Sequence, residues 1–167
     1  HNLLSQLVSF LEYCCDHVIF LNAFNRFSPD RFVLSRIKLR SERLELFTFG
    51  ILKTTRLVFV NGRYSPRLSY LRPLPEGARI VALADILHQE PEALESHLAR
   101  CARYQDDSFV ALNTAFFLDG AYVEIPKNTV VEEPIHLLFV STSKDLPIAA
   151  HPRNLIRLGA GSQATII

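Results

Sequence analysis

The 167-residue sequence predicts an α+β protein, in which a mostly helical region is followed by a succession of short strands. Two observations carry this expectation. Apolar residues recur at three- and four-residue steps in the early chain, and after Gly120 that period gives way to short apolar segments separated by proline, glycine and asparagine. The chain also divides by charge. Residues 1–56 hold eight Lys/Arg and five Asp/Glu, net +3, whereas residues 57–167 hold ten and twelve, net −2.

Taken in order, Leu4, Leu7, Val8, Leu11, Cys14, Cys15, Val18 and Ile19 fall on one stripe, which predicts a helix from about Leu3 to Leu21. Ser28-Pro29-Asp30 reads as a helix start, with serine capping and proline where its missing N–H costs nothing. Arg31 to Phe49 mixes helical and strand spacing and decides neither. Leu57-Val58-Phe59-Val60 reads as a strand, and Asn61-Gly62 supplies the two positive-φ residues of a type I′ hairpin, with Arg63-Tyr64-Ser65 returning. Prolines 66, 73 and 75 and Gly77 break the chain before another apolar run, Ile80 to Leu83. Residues 91–104 predict a helix opened by Pro91, with Leu94, Leu98 and Cys101 on one face and charges that suit the helix dipole. A second helix is expected from an Asp107 or Ser108 cap through Leu118, ended by Asp119-Gly120. Beyond it, segments 121–125, 129–131, 135–141, 154–158 and 163–167 read as strands of a sandwich, a barrel or a solenoid, among which pattern alone does not choose.

Composition removes several function classes. An apolar fraction of 49% with 21% charged residues excludes disorder, and a net charge of +1 offers no bulk attraction to nucleic acid or anionic membrane. Three cysteines do not make a disulfide framework. The longest apolar candidate, Val18 to Phe24, is interrupted by Asn22 and falls short of the roughly 20 residues that cross a bilayer. A cytoplasmic protein is expected. The absence of methionine, a first residue His1 and an end inside Ala164-Thr165-Ile166-Ile167 raise the further expectation of a piece cut from a longer chain within a strand.

The run Leu57-Val58-Phe59-Val60-Asn61-Gly62-Arg63-Tyr64-Ser65-Pro66 resembles the SufBD family of iron–sulfur cluster assembly proteins, in particular its SufD branch. Leu112 to Phe116, Asp119 to Lys127, Val131 to Ser141, His151 to Ile156 and Gly161 to Ile167 continue the resemblance. It implies three segments: 1–56, helical and without the family's motifs; 57–118, a small hairpin plus helices; and 119–167, the first coils of a right-handed parallel β-helix, cut at the end. It also implies a non-catalytic scaffold subunit that pairs with a SufB-like paralogue through the β-helix. A SufC-like ABC-type ATPase would dock on a domain beyond Ile167, and the iron–sulfur cluster would be handled by the whole complex. No catalytic, cofactor-binding or metal-binding residue of the family transfers onto this chain.

The residues themselves carry little chemistry. Adjacent Cys14 and Cys15 and the lone Cys101 lack the converging thiolates an iron–sulfur site needs, and are expected to pack as small hydrophobes. His88, His97, His136 and His151 have no carboxylate or thiol fixed beside them by sequence, so structural roles are expected. Gly159-Ala160-Gly161-Ser162 lacks the Lys-Ser/Thr of a phosphate loop and reads as a tight corner. Glu132 and Glu133 should diverge on a strand. A β-solenoid enzyme is the alternative reading, but Asp119, Glu124, Glu132 and Asp145 share no register across coils. A misassembled product without activity is the remaining one.

Overall fold

The structure, a computed structural model, describes residues 54–98, 100, 104–142 and 149–167. Its strands are β1 (Thr55–Val60), β2 (Arg63–Tyr64), β3 (Arg79–Ala82), β4 (Ala121–Ile125), β5 (Val130–Val140), β6 (Leu155–Leu158) and β7 (Gln163–Ile166). Three short helices, α1 (Leu83–Gln89), α2 (Glu92–Glu95) and α3 (Ser108–Phe116), lie between β3 and β4.

The strands form two sheets, ordered β2-β1-β5-β7 and β3-β4-β6. Asn61 (φ 52°) and Gly62 (φ 78°) make the tight turn that folds β2 antiparallel onto β1, as the Asn-Gly pair predicts. On its other side β1 pairs parallel with β5, from Thr55 opposite Ile135 to Val60 opposite Val140. From β4 onward, consecutive strands alternate between the sheets. Hence β6 pairs parallel with β4, and β7 pairs parallel with β5.

Alternation of side chains explains where the core sits. On β4, Ala121, Val123 and Ile125 meet Leu57, Phe59, Ile80, Val131 and Ile135 between the two sheets, all buried. The intervening Tyr122 points the other way, into a second cluster with Leu83, Ile86, Leu94 and Phe117. Thus β4 is covered on both faces, which is why it reads as an almost unbroken apolar run.

Several expectations need correction. The described residues form a mixed α/β arrangement of two sheets around a shared core, and no parallel β-helix is shown. Antiparallel β2 and β3 belong to these sheets as much as the parallel strands do. The helical region predicted for the start, including Leu3 to Leu21, lies outside the described residues. Among the described residues of the helix expected over 91–104, only the single turn α2 is helical and only Leu94 is buried; His97 and Leu98 then both donate to the Leu94 carbonyl. Segments 129–131 and 135–141 merge into β5, with the irregularity between Val131 and Ile135 where Pro134 can donate no ladder bond. The run Ile80 to Leu83 ends β3 and begins α1, a helix that the sequence reading did not contain. Helix α3 starts at its Asp107 cap as expected but stops at Phe116, since Phe117 turns extended to enter the second cluster.

Ile135 sits fully buried where β1, β5 and β7 meet. Replacing it with alanine should cost about 3 kcal/mol, read as a lower urea midpoint at an unchanged slope.

Candidate functional site

The corner between α3 and β4 gathers the polar side chains of Asn113, Thr114, Asp119, Arg153 and Asn154. Asp119, only 5% exposed, accepts three backbone N–H donors: Tyr64 (2.8 Å) on Oδ2, and Ala84 (3.1 Å) and Gly120 (2.8 Å) on Oδ1. The Ala84 bond places a carboxylate at the start of α1, whose own N-terminal neighbour, Ala82, has no side chain able to cap. Gly120 then passes so close to the chain at Arg153 that a Cβ there would lie 1.7 Å from the Arg153 carbonyl oxygen. Only glycine fits.

The segment 151–154 is pinned from both sides of this corner. The Arg153 N–H donates to the Asp119 carbonyl (3.1 Å), and Asn154 Oδ1 accepts from the Ala121 N–H (2.8 Å). From α3, Asn113 Nδ2 donates to the Pro152 carbonyl (3.0 Å). Arg153 Nη1 donates to Thr114 Oγ1 (2.6 Å) and more weakly to Asn113 Oδ1 (3.3 Å), while the guanidinium lies 6.0 Å from the Phe117 ring centre. Beside this cluster is an open groove of about 500 Å³, bordered by His97, Phe109, Asn113, Arg153 and Ile156. Phe109 is 82% exposed on its rim.

A charged lattice covers the outer face of β4. Arg79 makes a two-pronged pair with Glu90 (2.9 Å for each bond) and stacks over Tyr122 at 5.5 Å. Arg157 pairs with Glu124 (2.9 Å), which accepts the Tyr122 hydroxyl proton (2.9 Å). Burial, opposed by the Arg157 hydrogen bond, holds the Tyr122 phenol above its ordinary value, and the hydrogen bond to Glu90 raises Arg79 above its own. Two arginines thus face two glutamates across this surface.

The residues weighed from sequence do not converge. His136 is 6% exposed on β5 opposite Arg56; burial first, and the Arg56 cation second, lower its pKa from the usual 6.5. His151 lies 6.0 Å from the Phe116 ring, and His88 is exposed. His97 borders the groove. Glu132 is exposed while Glu133 pairs with Arg72 at 2.6 Å, so the two carboxylates diverge as expected. Gly159 to Ser162 is a corner, with the Asn128 N–H donating to the Ala160 carbonyl and no room for a Cβ at Gly159. Cys14, Cys15, Cys101 and Asp145 lie outside the described residues. Among the described residues, no group of three or more His, Cys, Asp or Glu could hold a metal ion, and no helix is long and apolar enough to cross a membrane. Sequence reasoning treated Asp119 only as a helix stop or a possible acid. Its preceding Leu118 and following Gly120 gave no sign that two distant amides, of Tyr64 and Ala84, would need it.

Two sheets tied by a buried aspartate, with motif segments that meet through backbone contacts, define a protein whose polar residues here serve architecture. Residues 21–137 match the family model described as "SufBD protein N-terminal region", and the chain belongs to the SufBD family. The match begins inside the segment 1–56, which the motifs alone had set apart. The chain is 36% identical over 112 residues to the iron–sulfur cluster assembly SufBD family protein slr0076 of Synechocystis sp., covering 67% of this chain and 24% of that protein. It is 32% identical over 63 residues to the family protein ABCI9 of Arabidopsis thaliana, covering 38% and 13%. Over 91 residues it is 29% identical to the family protein ycf24 of Trieres chinensis, covering 54% and 18%. The chain thus spans about a quarter or less of these relatives' lengths.

Asp119→Ala leaves three amides without their acceptor and should cost about 3 kcal/mol; Asp119→Asn, which keeps one acceptor oxygen, should cost less. Chemical denaturation of both variants reads the difference. For His136 the sign follows from the lowered folded pKa. The unfolded chain takes up the proton first, so stability is full above about pH 6.5 and falls as the pH drops from there to the folded value. Urea midpoints measured across that window should decline for the parent and lose the His136 share of the decline in His136→Gln.

Proposed function

We propose that this protein is a non-catalytic scaffold subunit in iron–sulfur cluster assembly, of the SufD-like kind. The observation that carries the reading is the family match across residues 21–137, joined to relatives whose names all state iron–sulfur cluster assembly. The geometry is in keeping with it. Asp119, Asn113, Arg153 and Asn154, the side chains that converge most closely, spend their hydrogen bonds on backbone and on one another. A scaffold needs rigid surfaces, and such staples supply rigidity rather than a reactive group.

On this reading the working unit is a complex, in which the full-length protein associates with a SufB-like paralogue and a SufC-like ABC-type ATPase in the cytoplasm. The cluster is cargo of that assembly, built with iron and sulfur delivered to it. The test uses the full-length natural protein. Co-expression with both partners should give a complex that survives gel filtration, and deleting the protein should reduce cluster formation on the remaining subunits. Purification as a lone species, with cluster assembly unaffected by its deletion, would overturn the proposal.

A further inference from the structure

The β1–β2 turn carries the only Asn-Gly pair in the sequence, Asn61-Gly62. Such pairs are chemically fragile, because the unhindered glycine amide nitrogen can attack the asparagine side-chain carbon. The Gly62 nitrogen then bonds to Asn61 Cγ, the Cγ–Nδ2 bond breaks, and ammonia leaves with the amide's proton. Water opens the resulting succinimide at either carbonyl, giving aspartate or isoaspartate. No oxidant or reductant is involved.

Here the fold opposes each part of that step. Both residues occupy left-handed conformations (φ 52° and 78°), and a two-residue turn held in that geometry restricts the backbone rotation that ring closure needs. The side-chain amide is gripped at both ends: Oδ1 accepts the Thr142 N–H (2.8 Å), and Nδ2 donates to Thr142 Oγ1 (3.0 Å). The Asn61 N–H donates to the Val140 carbonyl (2.9 Å), and the Gly62 Cα faces Ala150 so closely that a Cβ would meet its methyl at 3.2 Å. We propose that Asn61 is a latent deamidation site guarded by Thr142, protected while the two Asn61–Thr142 hydrogen bonds hold and open to attack when they break. Conversion would undo the clamp. Aspartate lacks the Nδ2 donor of the clamp, and isoaspartate adds a backbone carbon to a two-residue turn that fixes the pairing of β1 with β2.

The test follows the amide-to-acid mass shift at Asn61 in peptides from the full chain, held in warm, mildly alkaline buffer. Deamidation in the folded protein should be slower by roughly tenfold or more than in the same protein in urea. Thr142→Ala should deamidate several-fold faster than the parent, while Thr142→Ser, which keeps the hydroxyl, should match it. Equal rates in the folded and denatured parent would overturn the proposal. So would a folded Thr142→Ala as slow as Thr142→Ser. Should Thr142→Ala fail to fold, the parent's own folded-to-denatured ratio decides the matter.

Discussion

A single buried carboxylate, just ahead of β4, holds that strand's start in register with β2 and α1. Asp119 binds the amide of Tyr64 on β2, the first turn of α1 at Ala84 and the start of β4 at Gly120. The first belongs to one sheet and the last to the other, so the two layers are fastened at one end by a side chain rather than by a strand. Burying a charge is costly unless hydrogen bonds replace water, and three backbone donors meet that requirement. Gly120 completes the fastening because its missing Cβ lets the Arg153 carbonyl approach, which brings β6 alongside β4.

From that corner the register propagates with constant spacing. Ala121 is held by Asn154, 33 residues later. The same separation relates Tyr122 to Leu155 between β4 and β6, and Val130 to Gln163 between β5 and β7. It also relates the two left-handed turn residues, Asn128 (φ 57°) and Gly161 (φ 71°), which lie against each other. The spacing breaks only past Val131, where Pro134 interrupts the ladder and Ile135 takes Ile166 as partner. A one-residue slip elsewhere would turn the inward residues of β4 or β5 outward and bring Leu158 or Ala160, each with a Cβ, against the Lys127 backbone that only Gly159 clears.

Features set by near neighbours were legible in the sequence, and features set by distant ones were not. Asn61-Gly62, the Asp107 cap and the boundaries of β4, β6 and β7 follow from local chemistry, and each was readable. Helix α1 was not, because its cap is an aspartate 35 residues beyond Ala84 and its buried residues, Leu83 and Ile86, are too few to show a period. The helix expected over 91–104 failed for the opposite reason: its periodicity was clear, but only Leu94 of its described residues is deeply buried. Periodicity reports what a segment can bury, and tertiary packing decides what it does bury. The continuity of β5 across Pro134 was hidden likewise, since proline is a reliable breaker only where a ladder bond is demanded of it.

The candidate site shows the same division. The segments that signalled the family, around Leu112, Asp119 and His151, turned out to be adjacent in space, and they touch through Asn113, Thr114, Arg153 and Asn154. Nothing in any one segment announces this, because each holds half of every bond. The polar residues of these motifs are occupied with one another and with the backbone. Their chemistry is that of a clasp: Arg153 reaches Thr114 and Asn113 on α3 while its own backbone closes on Asp119, so the helix, the corner and the approach to β6 cannot separate without all three contacts failing together. Contacts coupled in that way keep the geometry of the outer face fixed, even with an exposed phenylalanine and an open groove at its edge.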